Sequence, residues 1–458
     1  MNSPRKRIRL NGFKQSTVSH SAVGLWRHPD SQAHRYTDLD YWLETARTLE
    51  RGKFDALFLA DALGPLDVYQ GRIDATLRQG VQTPSDDPLL VVSAMAAVTR
   101  RLGFAVTLST TFEQPYLLAR KMTTLDHLTR GRIGWNIVNS ALASAARNCG
   151  LTQQRPHDER YDVADEFLRV AYKLWEGSWE EDAVRRDRCG GVFADPAKVH
   201  SIGHHGKYFQ VPDAFLCEPS IQRTPALFQA GTSGRGRAFA AAHAEGIFLS
   251  TQAPGAAARL VADIRRLAAE VGRDPSALRF FGHVTVVTAA TDARAQEKHR
   301  DYLQWLSEEG NLARHCALIQ LDLSTLDPDE PLEYVQTEGI RSVLASFTKA
   351  DPTRRWTVRQ VSQYLATSLG GATIVGSPAT VADELERWMD VADLDGFNVS
   401  DPMPLASYDD FIEHVRPELL RRGRTWDDYE GTTLREYLAG PGCVRVAADH
   451  PAAAAARR

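Results

Sequence analysis

The segment QAGTSGRGRAF (229–239) combines small residues, hydroxyls and arginines in a pattern that suits anion binding. An apolar run ends at its Ala-Gly pair, and Thr232 and Ser233 then precede a helical pattern. Free backbone N–H groups and the helix dipole favour an anion at a helix start, and small residues let a phosphate approach closely. Arg235 and Arg237 add positive charge. The segment predicts a phosphate site, although a plain helix cap with solvent-facing arginines gives the same pattern.

Other polar residues follow apolar, strand-like runs. The stretch 101–139 has the pattern of a strand, a helix and a second strand, with Thr107 and Asn136 near the strand ends. Asp61 comes directly after the apolar run FDALFLAD. Ligands sit at the carboxyl ends of strands in parallel barrels and open α/β sheets, so these residues predict a polar ligand site. For Asp61 alone, a salt bridge at the rim explains the position equally well.

A third group lies in HDERY, at the start of a predicted helix. His157 and Tyr161 are four residues apart and share a helix face, so both can reach one ligand. The segment also has a purely structural explanation, since Asp158 or Glu159 at the helix start could cap the helix and complement its dipole. His20, in the loop after the first strand, is either a surface residue or part of the site.

Several function classes are disfavoured by composition and spacing. A net charge of −4 and a pI near 6.4 argue against a nucleic-acid surface. No apolar run approaches the roughly 18 residues that span a membrane, and the N-terminal segment lacks the apolar core of a secretory signal. Five scattered cysteines without CxxC spacing indicate reduced thiols in a cytoplasmic protein. The adjacent His204 and His205 lack metal-ligand spacing and are expected in an exposed turn, so no metal site is predicted.

The positioning elements are strands and helices in alternation, which favours a (β/α)8 TIM barrel over a doubly wound sheet. No G-x-G-x-x-G motif follows an early strand, which further disfavours a dinucleotide-binding sheet. The predicted strands are 8–13, 54–61, 103–110, 133–139, 225–231, 246–252, 280–290 and 395–400. The predicted helices are 38–50, 88–102, 115–128, 157–177, 233–244, 255–272, 291–309 and 379–392.

The chain is expected to form one barrel domain over residues 1–458, which exceeds the roughly 250 residues of a simple barrel. The excess is assigned to loop insertions at about 62–85, 178–222 and 310–375 and to a C-terminal extension from about 403. Long loops in compact domains are usually functional. The 310–375 insertion is a lid candidate, with the apolar residues Leu332, Tyr334, Val343, Phe347 and Trp356. The tail DHPAAAAARR is expected to be frayed.

In combination, the motifs GLWRHP, FDALFLAD, TLDHLTRGRIGWNIVNS, HDERYDVADEF and QAGTSGRGRAFAA resemble those of the bacterial-luciferase-like flavin monooxygenases. Within that family the chain is similar to the branch of nitrilotriacetate, dibenzothiophene-sulfone and long-chain alkane monooxygenases. The resemblance covers residues 8–440. It implies a TIM barrel with FMN at the C-terminal mouth of the strands.

The resemblance also implies the chemistry and its partners. Reduced FMN would arrive from a separate flavin reductase and react with O2, and a flavin peroxide would oxygenate a small organic substrate. A homo-oligomer, dimer or tetramer, would be usual. The oxidised group is left open among a sulfone, an amine, an alkane and an N-substituted acid, because the loops that form the substrate pocket differ between relatives.

By matching motifs, the family's site residues carry over to positions in this chain. Asp61, Thr107 and Asn136 would line the isoalloxazine ring, and the ribityl-phosphate end would be held by Ser140, His157, Tyr161, Thr232 and Ser233. His20 would lie over the reacting face of the flavin and move a proton or hydrogen-bond the peroxide, work suited to a near-neutral pKa. His315 is a second catalytic candidate, although an alternative register places Leu318 at that position.

Two other functions fit the same barrel. One is a deazaflavin-dependent oxidoreductase that transfers hydride without oxygen, and the HDERY helix and the 178–222 insertion resemble the monooxygenase branch more. The other is a non-catalytic flavin-binding barrel, whose flavin would survive purification. Oxygen consumption that depends on reduced FMN would distinguish a monooxygenase from the deazaflavin-dependent enzyme. Weak flavin retention would distinguish it from the non-catalytic flavin-binding barrel.

Overall fold

The computed structural model describes residues 6–456 except 334–336, 338, 340–343, 345–346, 349–354 and 367–368. Its strands are β1 (Arg9–Gln15), β2 (Ala56–Ala60), β3 (Gly103–Ser109), β4 (Ile133–Val138), β5 (Val184–Asp187), β6 (Val192–Ala194), β7 (His204–His205), β8 (Gln210–Val211), β9 (Ala226–Gln229), β10 (Gly246–Leu249), β11 (Arg279–Thr288), β12 (Ala372–Gly376) and β13 (Gly396–Ser400).

Eight of these strands form a closed parallel barrel in the order β1, β2, β3, β4, β9, β10, β11 and β13. The ring closes where β13 pairs with β1, and every neighbouring pair is parallel. All eight overlap the predicted strands, so the (β/α)8 TIM barrel is confirmed. The carboxyl ends of the strands meet at one mouth, where ligands bind in this architecture.

The lower barrel interior is apolar and the mouth is polar. Phe58, Phe228, Phe248 and Phe281 fill the interior between small residues such as Ala105. The Phe58 and Phe248 rings meet edge to face at 4.2 Å, and Phe228 stacks on Phe248 at 5.4 Å. Alternating large and small side chains lets the layers of a small barrel interdigitate. The barrel therefore has a filled base that supports the residues at its mouth.

The α-helices of the described residues are α1 (Leu39–Arg51), α2 (Asp74–Gln79), α3 (Val92–Ala97), α4 (Pro115–Thr129), α5 (Ala143–Asn148), α6 (His157–Tyr172), α7 (Gly234–His243), α8 (Pro254–Glu270), α9 (Asp292–Trp305), α10 (Glu308–Ile319), α11 (Val358–Ala366), α12 (Pro378–Ala392), α13 (Ala406–Asp410), α14 (Arg416–Arg421) and α15 (Leu434–Ala439). Proline at the first position begins α4, α8 and α12, where its missing N–H costs no hydrogen bond. The helix predicted over 88–102 is shorter than expected, because regular helix covers α3 alone. Leu128, in the last turn of α4, is 59% exposed.

Sequence reasoning missed the five strands outside the ring, β5 to β8 and β12. The second half of β11, Val284–Thr288, pairs with β12, which lies at the end of the range assigned to the 310–375 insertion and extends one residue beyond it. β10 pairs only with Arg279–Gly282, so the rest of β11 is free on that side to take β12. Two short antiparallel hairpins, β5–β6 and β7–β8, occupy the range 178–222.

Two local expectations are wrong. His204, expected in an exposed turn, is buried in β7 with its Nε2 3.3 Å from Oε1 of Glu166. The tail expected to be frayed is packed from His450 to Ala452, since Nε2 of His450 donates to the carbonyl of His243 at 2.9 Å and Ala452 is fully buried.

The lid candidate is only partly covered by the structure. Tyr334 and Val343 lie outside the described residues. Leu332, Phe347 and Trp356 belong to one apolar cluster around α10 and α11. This cluster packs on the face of α10 that carries Cys316.

Candidate active site

The start of α7 forms an anion cradle at the carboxyl end of β9. Ser233 caps the helix, and its Oγ accepts the N–H of Gly236 at 3.1 Å. A Cβ at Gly236 would lie 2.6 Å from the hydroxyl of Tyr161, whereas a Cβ at Gly234 would meet no atom within 4 Å. Glycine is therefore required at Gly236 for the close approach of Tyr161, and the backbone at Gly234 borders open space suited to a phosphate.

The second half of the cradle comes from α6. The rings of His157 and Tyr161 are 5.3 Å apart, and both side chains are buried. Nδ1 of His157 donates to the Asp158 carboxylate at 2.6 Å. Burial raises the pKa of Tyr161, and the neighbouring Ser233 hydroxyl acts in the opposite direction. The structure thus brings Tyr161 and Ser233, which are distant in sequence, to one place.

The two arginines after Ser233 do not supply free charge. Arg235 pairs with Asp162 at 3.2 Å and also contacts Asp165, and its guanidinium lies 5.4 Å from the Tyr161 ring centroid. Arg237 pairs with Asp263 at 2.5 Å and donates to the carbonyl of Thr232 at 2.7 Å. Because carboxylates offset both arginines, the attraction for an anion comes mainly from the helix start.

The ends of β3 and β4 carry a row of polar side chains next to this cradle. Nδ2 of Asn136 donates to Oγ1 of Thr107 at 3.0 Å, and Oγ of Ser140 is 2.8 Å from Oγ of Ser109. Ser140 has a φ of 31°, a region that non-glycine residues seldom adopt. Such outliers persist where the surrounding structure holds them and cluster at functional sites.

Within the described residues, several buried polar atoms at the mouth have no hydrogen-bond partner. They include Nε2 of Gln15, Oγ of Ser19, Oδ1 of Asn136 and Nδ2 of Asn139. A buried orphan group costs about 1–3 kcal/mol, so native structures leave few without a reason. The set contains donors and acceptors and fits a ligand that has both, such as the polar edge of a flavin ring.

Asp61 follows β2 on the same rim. Its Oδ1 accepts the N–H of Ala62 at 2.8 Å. Burial raises the pKa of Asp61 to about 6, with only that hydrogen bond acting the other way. The carboxyl group therefore changes its charge close to the physiological range, which is common at functional sites.

On another part of the mouth, His20 belongs to a cluster with Phe13, His283 and Ser400, of which sequence reasoning predicted only His20. Phe13 of β1 contacts the His20 ring at 5.0 Å and the His283 ring at 4.7 Å. Nε2 of His283 is 2.7 Å from Oγ of Ser400 on β13. His283 and Ser400 were missed, although a lone histidine in the apolar strand FFGHVTVV was the available signal, since it points to the same side as Phe281.

The two histidines are neutral at physiological pH. Burial lowers the pKa of His20 well below its usual value, and the nearby Arg314 and His283 lower it further. Burial also lowers the pKa of His283 to about 4. The near-neutral pKa expected for His20 is therefore wrong, and its ring offers one N–H donor and one acceptor nitrogen.

His315 lies in α10 and faces its own helix. Its Nδ1 donates to the carbonyl of Asn311 at 2.8 Å, and burial lowers its pKa to about 3. Within the described residues, no ring contact or hydrogen bond joins His315 to His20 or His283. Leu318, the alternative register, is partly buried on the same helix.

The model of the luciferase-like monooxygenase family matches residues 20–393. The chain belongs to this family. Members are flavin-dependent oxidoreductases, so the chain is an enzyme of that class. No helix of the described residues is long and apolar enough to cross a membrane, and these residues contain no group of three or more His, Cys, Asp or Glu placed to hold a metal ion.

Individual relatives cover the whole barrel. The chain is 50% identical over 449 residues to the dimethyl-sulfide monooxygenase of Hyphomicrobium sulfonivorans, which covers 98% of this chain and 94% of the relative. The structure of a long-chain alkane monooxygenase, an enzyme of Geobacillus thermodenitrificans, is 46% identical with a TM-score of 0.92 and covers 98% of this chain and 100% of that one. A riboflavin lyase solved with modified FMN and riboflavin has 39% identity and a TM-score of 0.94, covering 99% and 100%.

Proposed function

We propose that this chain is the oxygenating component of a two-component monooxygenase. It takes reduced FMN from a separate flavin reductase and uses O2 to oxygenate a small organic substrate. The observation that carries the proposal is the set of orphaned donors and acceptors at the mouth, beside a helix start suited to phosphate. FMN has both a polar ring edge and a phosphate, and a relative of high structural similarity was solved with modified FMN.

The residues divide into two groups around the proposed flavin. Asp61, Thr107 and Asn136 line the ring, and their places at the ends of β2, β3 and β4 put them side by side. The ribityl-phosphate end is held by Ser140, His157, Tyr161, Thr232 and Ser233. The open backbone at Gly234 leaves room for the phosphate oxygens.

Reduced FMN supplies the two electrons that let O2 deliver one oxygen atom to the substrate while the other leaves as water. The protein's contribution is to bind, orient and exclude water. His20, neutral and packed on Phe13, donates or accepts a hydrogen bond without adding charge to the site. His283 is held by Ser400 and presents a second neutral imidazole beside it.

The test is turnover with chemically reduced FMN. Sulfides, sulfones, amines, aminopolycarboxylates and alkanes are supplied one at a time, and product mass is read for added oxygen or carbon–heteroatom cleavage. Substrate-dependent product that requires both reduced FMN and O2 supports the proposal. Hydride transfer from a reduced deazaflavin without O2 uptake would support the first alternative, and a flavin that stays bound but never turns over would support the second.

His20→Ala tests the role of the neutral imidazole. FMN binding should be retained because the cradle lies across the mouth, while kcat should fall about a hundredfold or more, the usual effect of losing a positioned proton-handling group. His34→Ala is the matched control, since His34 is exposed outside the mouth. Full turnover by His20→Ala removes His20 from the mechanism.

A further inference from the structure

Helix α10 covers the side of the barrel mouth formed by β1 and β11. Two small residues, Gly310 and Ala317, allow it to pack closely on the loops there. A Cβ at Gly310 would lie 2.4 Å from Cγ1 of Val23 and 2.9 Å from Cβ of Gln79. Ala317 packs in one cluster with Val23, Leu66 and Val81, which belong to the loops above β1 and β2. Positions four and seven residues apart share a helix face, so this face of α10 is turned to the mouth.

Arg314 lies between these two small residues on the same face. It is four residues after Gly310 and three before Ala317, so its side chain leaves the helix toward the mouth. The opposite face, with Cys316 and Ile319, packs away from the mouth in the apolar cluster of α11. The effect of Arg314 on its surroundings agrees with this placement, because its charge lowers the pKa of both His20 and His283.

Within the part of the chain that the structure describes, the Arg314 guanidinium has no compensating partner. No hydrogen bond or ion pair joins it to any described residue, and its Nε is buried without a partner. Burial lowers the pKa of Arg314 to about 10, and no carboxylate of the described residues acts against this effect. The side chain keeps some solvent-accessible surface although protein surrounds it, as expected for a group that lines a concavity.

A buried guanidinium without a partner is costly, and charged groups in protein interiors are normally paired. Its five N–H donors match carboxylate and sulfonate oxygens in a planar fork. The neutral ring of His20 faces the same space and adds hydrogen-bonding capacity without repelling an anion. His283 is also neutral, and its Nε2 and Nδ1 contact the hydroxyls of Ser400 and Ser250. The space therefore has the chemistry of an oxyanion pocket.

The flavin phosphate does not explain this pocket. The phosphate cradle lies at the end of β9, and Arg314 faces the histidines that follow β1 and lie on β11. In the ring order, β9 is four strands from β1 and two strands from β11, so the cradle and the histidines lie on different parts of the rim. An anionic group other than the flavin phosphate would therefore offset the charge of Arg314.

We propose that Arg314 binds the anionic head group of the organic substrate, a carboxylate or sulfonate, in the space that it shares with His20 and His283. This inference rests on the proposed function, which it deepens by naming the substrate class. The substrate's oxidisable end would then extend from this head group toward the flavin ring between β2 and β4.

The experiment measures binding to the enzyme loaded with oxidised FMN, so that it does not depend on turnover. The probes are (methylthio)acetate and its uncharged amide, with methanesulfonate as a bare head group, titrated at pH 7 by calorimetry. Wild type should bind the acid at least about tenfold more tightly than the amide, as expected for a charge-assisted hydrogen bond. Arg314→Gln should bring the two dissociation constants together, and Arg314→Lys should keep part of the preference.

Three results would overturn the proposal. One is a wild type that binds neither methanesulfonate nor the acid, or binds the acid no more tightly than the amide. Another is an Arg314→Gln variant with an unchanged acid-to-amide ratio. The third is a loss of FMN affinity in Arg314→Gln as large as the loss for the acid, which would assign the charge to the flavin.

Folding and the proposed function are checked separately. A cooperative thermal transition and an unchanged FMN dissociation constant show that Arg314→Gln is intact, and Arg314→Lys keeps the charge if the neutral variant does not fold. The monooxygenase proposal fails if reduced FMN and O2 give no product, whatever the binding ratio. The two failures are therefore distinguishable.

Discussion

The two ends of the barrel treat a buried arginine in opposite ways. At the base, Arg435 is 1% exposed and pairs with Glu245 at 2.7 and 3.1 Å, and it also donates to the carbonyls of Thr224 and Val444 at 2.8 and 3.1 Å. At the mouth, Arg314 has no partner among the described residues. The second case needs a reason, because a charge enclosed by protein without a partner is destabilising.

The difference shows which end serves stability and which serves binding. At the base, Arg132 likewise donates to the carbonyls of Thr129 and Leu102, both at 2.8 Å. At the mouth, Gln15, Asn136 and Asn139 keep buried atoms without partners. The hydrogen bonds of Arg132 and Arg435 tie segments together at the base, whereas the unpartnered atoms at the mouth are available to ligands.

The largest expected effect is a loss of stability when the ion pair at the base of the barrel is broken. Arg435→Gln should lower the free energy of unfolding by about 3–5 kcal/mol, because it leaves the Glu245 carboxylate buried without its partner. Arg314→Gln is the matched control and should cost nothing, since it removes an unpaired charge. Denaturant titration of the FMN-free protein measures both variants. Equal losses would contradict the contrast between the two ends.

The next effect concerns the cradle. Ser233→Asp keeps a good helix cap but places a carboxylate against the phosphate, so the Kd for FMN should rise about a hundredfold, or about 2.7 kcal/mol. Ser233→Asn caps the same helix without charge and should bind FMN nearly as well as wild type. Flavin fluorescence titration gives both constants. An unchanged Kd for Ser233→Asp would show that the phosphate binds elsewhere.

A smaller effect concerns the cover of the mouth. Gly310→Ala forces α10 away from Val23, because the added Cβ would lie 2.4 Å from its Cγ1. Water should then enter the site, and the hydrogen peroxide released per reduced FMN consumed should rise several-fold. Gly255→Ala on α8 is the control, since its Cβ would meet no atom within 4 Å. If both variants couple like wild type, α10 is not a water-excluding cover.

The last expected effect is a pH dependence of the free energy of unfolding, caused by Asp61 at the rim of the barrel mouth. The folded-state pKa of Asp61 is raised to about 6 from its ordinary value, so its contribution to stability is full below about pH 4 and is lost as the pH rises through about 6. Asp61→Asn lacks this loss and should be more stable than wild type at pH 7 by at most about 3 kcal/mol, the value of a pKa shift of about two units, with no gain at pH 4. Thermal unfolding at both pH values measures the difference, with the exposed Asp86→Asn as control. A gain that does not change with pH would show that ionisation is not its cause.

Local patterns in the sequence were sufficient to predict the barrel. Apolar runs such as GFAVTLS are buried along their whole length, and their alternation with helices leaves few topologies. The cradle was also predictable, because Ser233 and the glycines around it are contiguous. β12 was not, since its pairing depends on how far β11 extends beyond β10.

Contacts between distant segments explain the remaining misses. The partners of Arg235 and Arg237 come from α6 and α8, so their neutralisation cannot be inferred from the segment that contains them. His315 attracted attention by residue type, but helix phase decides which side chain of α10 faces the mouth. That phase is set by Gly310 and Ala317, and it selects Arg314 instead.

The packed tail has a consequence for how the cradle is aimed. Nε2 of His450 donates to the carbonyl of His243, the last residue of α7, from 207 positions further along the chain. Ser233 fixes the other end of the same helix, so its axis is held at both ends and its dipole points in one direction. A truncation before His450 would therefore free the C-terminal end of α7. The cradle residues would remain, but the helix axis, and with it the dipole that attracts the phosphate, would no longer be held in one direction.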